Sequence, residues 1–484
     1  MDKNLILPGN PRYQPKEMIN FFGYDNLYQK AVDVEMKTLE VLIEDIDPSL
    51  LSLNNIITWS EIIGLENITT TQVDKVERED TKHDVRALVK IIQELLRENP
   101  SGIKQLIHIP LTSYDVLDTA RILQFRDAYN LALKPALMRV TCDLTQLTIE
   151  YSDQIQIGRT HGQHALPITV GFWLATILNR LIENWERLDN ASKRLEGKIS
   201  GAVGAYNAQV GLELTSGGKE TFEERVLAKL GLKPARISTQ ILAPERLADY
   251  LFACNLLTAT LGQFGRDCRH LMRSEIGEIT ESFEAGQVGS STMHHKRNPI
   301  NFENLEGMWW RTKNEFGKLQ DILISEHQRD LVNSSVLRDL PIIPINLQNQ
   351  LNTLLREKDG KSFLKRIKFD EVRLKENFEM NANFVMAEPI YIALQLYGYE
   401  GDTHHLVSHK LLPEAKKHGI SLMSALENEA NKADAKLKEV MKKIPRDILN
   451  LLRDPQSYTG HAYQKAMEVA IMAENFVDTI KSED

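Results

Sequence analysis

The sequence predicts an all-α fold that contains unusually long helices. Long stretches without proline carry apolar residues three or four positions apart, which is the spacing of one helix face. Short runs that alternate apolar and polar residues between turn dipeptides, the pattern of β-strands, are almost absent. The 484-residue chain is 42% hydrophobic and 26% charged, as in folded globular proteins, and at about 150 residues per domain it should contain two to four domains.

Four stretches carry the helical pattern. They are residues 116–152, 167–197, 244–279 and 299–323. Pro135 interrupts the first, whereas Pro167, Pro244 and Pro299 stand at the starts of the others, where a helix tolerates proline. In the second stretch the apolar face consists of Trp173, Ile177, Leu181, Trp185 and Leu188. Runs of this length indicate a bundle of long helices.

Shorter elements flank the long-helix region, and we therefore predict three domains. Residues 1–118 form an N-terminal helical domain that carries His83 and the Thr112-Ser113 segment. Residues 119–368 form the central bundle, and the polar stretch that begins at residue 358 leads out of it. Residues 369–484 form a C-terminal helical domain.

Charge and cysteine content exclude several classes of protein. Lys and Arg number 58 against 67 Asp and Glu, a net charge of −9, which argues against nucleic-acid and anionic-membrane partners. An anionic ligand would need a local basic pocket. Cys142, Cys254 and Cys268 are too few for a disulfide framework or a cysteine-rich zinc site, and we interpret them as core or helix-face residues in a reducing compartment.

Two segments bear on localisation. The first residues, MDKNLILPGNPRY, have early charges and no long apolar run, so we expect neither a signal nor a transit peptide. Residues 160–179 are uncharged but include His161, His164 and Asn179, which makes them too polar to span a bilayer. We expect a cytoplasmic protein in which this window is a loop leading into a buried helix.

A polar segment, residues 284–299, separates the third and fourth helical stretches. Gly286 and Gly289 permit unusual backbone torsions. Ser290, Ser291 and Thr292 supply hydroxyls a few positions before the Lys296-Arg297 pair in sequence. A loop of this composition can direct N–H groups, an ammonium and a hydroxyl at one developing oxyanion. A solvated connection between helices has the same composition.

The order of its residues is more specific. GSSTMHHKRNP, residues 289–299, resembles the signature GSSxMPxKxNP of the fumarase/aspartase superfamily. Further segments are similar to the adenylosuccinate lyase family within it, and the resemblance extends from residue 12 to DPQSYTGHA near the C-terminus. These segments are KVEREDTKHDV, HIPLTSYDVLDTA, GRTHGQHALP, STQI and QRDLVNSSVLRDL.

The resemblance implies a three-domain, all-α fold whose central helices assemble into a homotetramer, with each active site shared between subunits. It implies a trans β-elimination that releases fumarate from adenylosuccinate to give AMP, and from the corresponding succinyl-aminoimidazole-carboxamide ribotide. The substrate is therefore a small nucleotide, and neither a cofactor nor a metal is implied.

The elimination that the resemblance implies requires two proton-transfer groups on opposite sides of the substrate and a group that stabilises the carbanion. Ser290 matches the general base of the signature loop. His161 matches the general acid, and Glu303 matches its carboxylate partner. His83 matches a second active-site histidine that contacts the phosphate or the leaving group.

The resemblance also implies a set of substrate-binding residues. Lys296 and Asn298 would hold the substrate carboxylate, as would the hydroxyls of Thr112 and Ser113. The nucleotide would be bound by Arg329, Ser334, Arg338, Arg12 and Tyr13, since guanidinium groups match phosphate oxygens. Gln240 would contact the substrate through its amide. Asp84 and Thr160, next to the two histidines, complete the predicted set.

Two positions depart from the family pattern. His294 replaces the signature proline, and Pro110 stands where the family has glycine. We expect His294 to make activity more pH-sensitive below about pH 6.5, the ordinary imidazole pKa. Pro110 should stiffen the approach to Thr112.

Alternatives remain at this point. A sister lyase acting on argininosuccinate, aspartate or malate would share Ser290, Lys296 and Asn298 but would not need the nucleotide-binding residues. A catalytically silent relative would keep only the bundle. Metal binding at His404, His405 and His409 is disfavoured, because the intervening Glu of HExxH is missing, and a helix surface is expected there.

Overall fold

The computed structural model describes residues 11–46, 64–96, 103–214, 220–281, 296–330, 332–432 and 435–482. The chain forms two compact units. Unit 1 comprises Met1–Arg139, Glu183–Gly262 and Asn304–Leu354, and unit 2 comprises Val140–Ile182, Gln263–Glu303 and Leu355–Asp484. The three-domain division near residues 118 and 368 stays a prediction.

Helices dominate the described residues, which confirms the predicted all-α class. In chain order they are α1 Ile19–Phe22, α2 Asn26–Ile46, α3 Thr70–Val76, α4 Asp84–Leu95, α5 Ser113–Ala128, α6 Lys134–Glu150, α7 Val170–Lys193, α8 Asn207–Gly211, α9 Phe222–Lys229, α10 Glu245–Leu271 and α11 Ile300–Asp321. They continue with α12 Asn333–Asp339, α13 Ile342–Leu355, α14 Glu371–Ala382, α15 Ala387–Leu396, α16 Thr403–His405, α17 Leu412–His418, α18 Leu422–Lys432, α19 Ala435–Lys443, α20 Arg446–Arg453 and α21 Ala462–Ser482.

The strands within the described ranges form two-stranded sheets. They are β1 Ile155–Thr160, β2 Gln163–Thr169, β3 Glu196–Gly197, β4 Lys233–Pro234, β5 Ile279–Thr280 and β6 Lys368–Phe369. The pairs β1–β2 and β5–β6 are antiparallel, and β3–β4 is parallel. In the β1–β2 hairpin, Ile155 lies opposite Thr169 and Thr160 lies opposite Gln163.

The hairpin corrects one prediction. Residues 163–169 form a strand and not a loop, so the following helix α7 begins at Val170 and not at Pro167. The segment QIQIGRT has β-branched Ile155 and Ile157 at alternate positions, and it pairs with QHALPIT across a two-residue turn. The pattern was too short to stand out from the surrounding helical periodicity.

The long helices otherwise follow the predicted stretches. The predicted interruption at Pro135 falls in the first turn of α6, directly after a π-helical turn at Tyr129–Leu133 that joins α5 to α6. A π turn shifts the hydrogen-bond register and so accommodates a residue without an N–H. The third stretch ends at Leu271 and not near residue 279, because a turn containing Gly277, at φ +67°, leads into β5.

Each unit has its own buried core. In unit 1, Trp185 and Tyr250 are fully buried, and Trp185 Nε1 donates to the Tyr129 hydroxyl at 3.2 Å. That hydroxyl donates to Asp189 at 2.7 Å, so the buried polar atoms are satisfied. In unit 2, Ile390, Leu411 and Leu426 belong to the apolar core of the C-terminal helices. No helix in the described residues is long and apolar enough to cross a membrane.

The cysteines are as predicted. All three thiols are free, with Cys254 and Cys268 buried and Cys142 partly buried. Burial raises the pKa of each thiol, because a thiolate loses its hydration there. They are therefore protonated core or helix-face residues.

Candidate active site

His83 stands at the start of helix α4 and caps it. Its Nδ1 accepts the backbone N–H of Arg86 at 3.4 Å and lies 3.4 Å from an oxygen of Asp84. On the other side of the ring, Nε2 lies 3.3 Å from the Ser113 hydroxyl. Two predicted site residues, 30 positions apart in sequence, thus form one polar pair at the N-termini of two helices, where the helix dipoles favour an anion.

Thr112 and Ser113 are held in place by a buried carboxylate. Asp115 accepts the backbone N–H of Thr112 at 2.8 Å, which forms part of the capping box of helix α5. It also accepts backbone N–H groups of Ser200 at 3.0 Å and Gly201 at 3.1 Å, and it forms an ion pair with Lys198. The Lys198 and Asp115 side chains are 0% and 1% exposed. This network fixes the N-terminus of α5 beside the residue 198–201 segment.

Arg329 and Gln240 are brought together across 89 residues of sequence. The guanidinium of Arg329 donates to Gln240 Oε1 at 2.7 Å, and the backbone N–H of Gln240 donates to the carbonyl of Gln328 at 3.3 Å. The same guanidinium lies 3.9 Å from the centre of the Tyr114 ring. A stacked and hydrogen-bonded guanidinium is held in one plane, as two-pronged recognition of a carboxylate or a phosphate requires.

Arg338 and Asp84 line one cavity of unit 1. Arg338 donates to the carbonyl and the hydroxyl of Ser334, both at 2.8 Å, one turn earlier in helix α12. Arg121 and Tyr28 face the same cavity. Arg121 is buried and pairs with Asp118 at 3.0 Å. The cavity therefore contains two guanidinium groups beside a predicted substrate-binding carboxylate.

Burial shifts the titrating groups of this cavity. Loss of hydration raises the pKa of the Tyr28 hydroxyl, a change that the Asp84 carboxylate reinforces and Arg338 opposes. Burial likewise raises the pKa of Asp118, although Arg121 and the backbone N–H of Leu242 at 2.9 Å favour its charged form. Tyr28 is therefore a neutral hydroxyl that can both donate and accept.

Arg12 and Tyr13 lie in a short 3-10 turn, Pro11–Tyr13, of the same unit. Arg12 is exposed and Tyr13 is half-buried. The guanidinium of Arg311 lies 5.6 Å from the centre of the Tyr13 ring, and Asn349 donates to the Tyr13 carbonyl at 3.2 Å. These contacts fix the Tyr13 ring and backbone.

His161 occupies the tip of the β1–β2 hairpin in unit 2. His161 and Gly162 form its two-residue turn, with φ of +53° and +74°. Positive φ at both positions is typical of a type I′ turn, in which a histidine is strained relative to glycine. Thr160, His161 and Gly162 are all exposed. The hairpin therefore presents His161 on the surface of the chain.

Glu303 lies in the first turn of α11, and a buried carboxylate fixes that turn. Glu281 accepts the backbone N–H groups of Asn301 at 2.9 Å and Phe302 at 3.0 Å, and the Asn301 amide at 2.7 Å. Burial raises the pKa of Glu281, although these hydrogen bonds act in the opposite direction. Glu303 itself is exposed, and in the described part of the chain neither a hydrogen bond nor an ion pair connects it to His161.

Ser290 and His294 lie outside the described residues. Of the predicted loop 286–299 the structure describes residues 296–299, where Lys296 is exposed and Asn298 is half-buried. The arrangement of Ser290 relative to these residues stays a prediction, as does the effect of His294. Pro110 is described, and the Ile109–Pro110 peptide is cis.

Several residues that organise the site were not predicted. Asp115, Tyr114 and Arg121 lie within or next to HIPLTSYDVLDTA, so that segment contained a usable signal. No local sequence signal pointed to Lys198 or Glu278, because each is paired with a residue about 80 or more positions away in sequence. Long-range polar pairs of this kind depend on topology, which local patterns do not reveal.

Metal ligation has no support in the described residues, where no group of three or more His, Cys, Asp or Glu side chains is placed to hold an ion. His404, His405 and His409 are exposed on the helical turns of residues 403–411, which agrees with the predicted helix surface. The rings of His405 and His409 lie 4.8 Å apart.

Comparisons with known proteins now bear on this site. A family model described as "Lyase" matches residues 55–312. The adenylosuccinate lyase of Pyrococcus abyssi is 32% identical over 98% of this chain and 99% of its own length. That of Archaeoglobus fulgidus is 32% identical over 96% of this chain and 98% of its own. The N-acetyl-S-(2-succino)cysteine lyase of Dickeya dadantii is 29% identical over 96% of both chains.

A solved structure supports the fold. The 3-carboxy-cis,cis-muconate lactonizing enzyme of Pseudomonas putida superposes with a TM-score of 0.79 at 24% identity, covering 96% of this chain and 98% of its own. At this identity the likeness concerns the fold alone. The resemblance inferred from the signature loop is confirmed by the full-length matches. The chain belongs to the adenylosuccinate lyase family, within the fumarase/aspartase superfamily of lyases.

Proposed function

We propose that this protein cleaves adenylosuccinate to AMP and fumarate, and the succinyl-aminoimidazole-carboxamide ribotide to the aminoimidazole-carboxamide ribotide and fumarate. Both are C–N bond cleavages of purine nucleotide biosynthesis. The observation that carries the proposal is the match to several adenylosuccinate lyases over 94–98% of the chain. The residues to which the resemblance assigns nucleotide binding, and which sister lyases would not need, are all present and support the proposal.

The proposed reaction removes a proton from the carbon next to a substrate carboxylate and breaks the C–N bond on the opposite face. Ser290 accepts the proton, and Lys296 and Asn298 bind the carboxylate on which negative charge accumulates. His161, paired with Glu303, protonates the departing nitrogen. A carboxylate partner orients the imidazole ring.

The nucleotide is proposed to bind in unit 1. Arg329, Arg338 and Arg12 bind the phosphate together with the Ser334 hydroxyl, and Tyr13 contacts the nucleoside. Gln240, oriented by Arg329 at 2.7 Å, offers its amide N–H groups to the substrate. Thr112 and Ser113 bind a succinyl carboxylate at the N-terminus of α5, where His83 meets Ser113. Thr160 and Asp84, next to the two histidines, are proposed as further substrate-binding residues.

We further propose a cytoplasmic homotetramer with active sites shared between subunits. His161 stands at an exposed hairpin tip and Glu303 is exposed on α11, without a contact between them in the described chain. A neighbouring subunit can provide the missing partner. Large apolar side chains on the long helices support burial between subunits, since Phe252 is 47% exposed and Trp310 is 50% exposed. The net charge of −9 supports the expectation that neither nucleic acid nor an anionic membrane is a partner.

The first experiment is a cleavage assay with purified protein. Loss of adenylosuccinate and appearance of AMP and fumarate are followed beside a Ser290→Ala variant, which should lose turnover while remaining folded. Argininosuccinate, aspartate, malate and N-acetyl-S-(2-succino)cysteine serve as competing substrates. Preferred turnover of any of these would replace the proposal by a sister lyase, and no turnover of any would favour a silent relative.

The shared site has its own test. Ser290→Ala and His161→Asn each remove one catalytic group. If the two groups of a site come from different subunits, tetramers mixed from the two variants contain some sites with both groups intact and should regain activity. Light scattering gives the assembly state of each variant. Absence of recovery in subunits shown to have exchanged would place both residues in one chain.

A further inference from the structure

A strained turn carries His161, and its own strands hold it incompletely. Histidine at φ +53° is an unusual choice for a hairpin turn. The β1–β2 ladder is irregular between Ile157 and Arg159, immediately before the turn. Gly158 of β1 there faces two residues of β2, Ala165 and Leu166, so the extra residue lies on β2, and a bulge of this kind bends the hairpin locally, next to its turn. The position of His161 therefore depends on contacts outside the hairpin.

Glu278 provides polar contacts of this kind to β1, and Asn381 donates to His164 Nδ1 on β2 at 2.8 Å. The Glu278 side chain is 0% exposed and lies directly before strand β5. One carboxylate oxygen accepts Gln156 Nε2 at 2.8 Å and Arg159 Nη1 at 3.1 Å. The other accepts Arg159 Nη2 at 2.6 Å and Asn377 Nδ2 at 2.8 Å. Each oxygen of the Glu278 carboxylate therefore accepts two hydrogen bonds. Two of the three donor residues, Gln156 and Arg159, lie on β1.

The geometry at Arg159 is restrictive. Two parallel N–H···O bonds to one carboxylate fix both the distance and the plane of the guanidinium. Arg159 is 13% exposed and precedes His161 by two residues. Its Nη1 also donates to the carbonyl of Ile157 at 3.3 Å, across the irregular part of the ladder. The guanidinium therefore joins the strand to Glu278 where the strand's own hydrogen bonding is interrupted.

We propose that Glu278, acting through Arg159, is a positioning residue that sets the location of the His161 imidazole for proton transfer. The inference rests on the proposed function, in which His161 is the general acid. Glu278 does not touch the substrate. A buried ion pair is weak evidence of a contribution to stability, because desolvation offsets most of its attraction. Its placement beside a strained catalytic turn instead supports a role in orientation.

The test compares substitutions of Arg159 and Asn377, two residues that donate hydrogen bonds to the Glu278 carboxylate. Arg159→Lys keeps the positive charge but loses the two-pronged geometry that holds β1. Asn377→Ala removes a hydrogen bond to Glu278 from helix α14 and leaves β1 untouched. The carbonyl of Ile276, the other acceptor of Asn377, keeps a bond from Arg373 at 3.2 Å.

Steady-state kinetics and amide hydrogen exchange are measured on the purified full-length variants. Because a displacement of about 1 Å at a reacting group costs up to roughly a hundredfold in rate, Arg159→Lys should lower kcat at least about tenfold with KM within about threefold. Exchange of the 155–169 hairpin should accelerate in the same variant. Asn377→Ala should keep kcat within about twofold of wild type and leave hairpin exchange unchanged.

An unchanged kcat in Arg159→Lys would overturn the proposal, and so would equal losses of kcat in Arg159→Lys and Asn377→Ala, which would indicate a general loss of stability. Failure of the proposed function is distinguishable from both. In that case wild-type protein itself does not cleave adenylosuccinate, while the exchange difference between the two variants still reports whether Glu278 holds the hairpin.

Discussion

The side chains of Lys198 and Asp115 form a fully buried ion pair, 83 residues apart in sequence. Asp115 uses its remaining acceptor positions on backbone N–H groups of Thr112, Ser200 and Gly201. A buried carboxylate with this many donors organises the backbone around it. The pair therefore joins the segment that contains Thr112 and Ser113 to a loop that is distant in sequence.

Removing the Lys198 ammonium group should strongly destabilise the fold. Lys198→Met leaves the Asp115 charge buried without its counter-ion, and we expect a loss of about 3–5 kcal/mol in the free energy of unfolding. Urea denaturation measures this. As the control, Lys442→Met removes an exposed partner of Glu439, which should change stability by less than about 0.5 kcal/mol. Equal effects of the two substitutions would contradict the structural role assigned to Lys198.

His83 has two roles that substitution can separate. His83→Ala removes both the cap of helix α4 and the ring that meets Ser113, so it should lose activity and about 1 kcal/mol of stability. Asparagine is a good N-cap residue, and His83→Asn should keep the stability while losing activity. Thermal unfolding and the adenylosuccinate assay are run on both variants. Full activity in His83→Asn would exclude a catalytic role for the imidazole.

Arg329 should be irreplaceable by lysine. Lysine keeps the charge but cannot reproduce the stack on Tyr114 together with the bond to Gln240. We expect Arg329→Lys to weaken AMP binding at least about tenfold, equivalent to about 1.4 kcal/mol, as measured by calorimetry. Arg453→Lys, at an exposed pair with Glu427, is the matched control and should bind AMP normally. Undiminished binding by Arg329→Lys would remove Arg329 from the nucleotide site.

His164 should titrate below the ordinary imidazole value. Its partial burial and the nearby Arg159 cation lower its pKa, whereas Glu278 opposes the shift. Asn381 donates to Nδ1 at 2.8 Å, so the neutral ring carries its proton on Nε2. The unfolded chain binds this proton at about pH 6.5 and the folded chain only at lower pH, so the contribution of His164 to stability is lost as the pH falls below about 6.5.

An NMR titration of the histidine ring carbons tests this shift, with His164→Gln used to assign the signal. Glu278→Gln should move the His164 pKa further down, because the opposing carboxylate charge is gone. An unchanged or raised pKa in that variant would contradict the electrostatic origin of the shift.

Gly171 marks a close approach between backbones. A Cβ atom there would lie 2.5 Å from Ser152 Cα and 2.6 Å from the Thr148 carbonyl oxygen. Gly171→Ala should therefore destabilise the fold by about 1–3 kcal/mol. At Gly317, also in a helix, a Cβ would meet no atom within 4 Å, and Gly317→Ala should stabilise by about 0.5–1 kcal/mol. Chemical denaturation of both variants gives the comparison.

The fold class and the candidate site residues were largely accessible from sequence. Helical periodicity is local, so the stretches that became α7, α10 and α11 could be placed within a few residues except where a short strand or a glycine turn intervened. The proximity of Ser334 to Arg338 also follows from spacing, because positions four apart meet on one helix face. The signature loop identified the superfamily through residue order alone.

Tertiary structure decided what local patterns do not contain. The pairing of Gln240 with Arg329, of Asp115 with Lys198 and of Arg159 with Glu278 joins residues 83 to 119 positions apart. Polar side chains choose these partners only after packing has excluded water and made an unpaired group costly. The sequence by itself determined the long helices, through local periodicity, and the family, through the order of residues. The packed chain determined that the buried carboxylates of Asp115 and Glu278 contact the segments that carry candidate site residues.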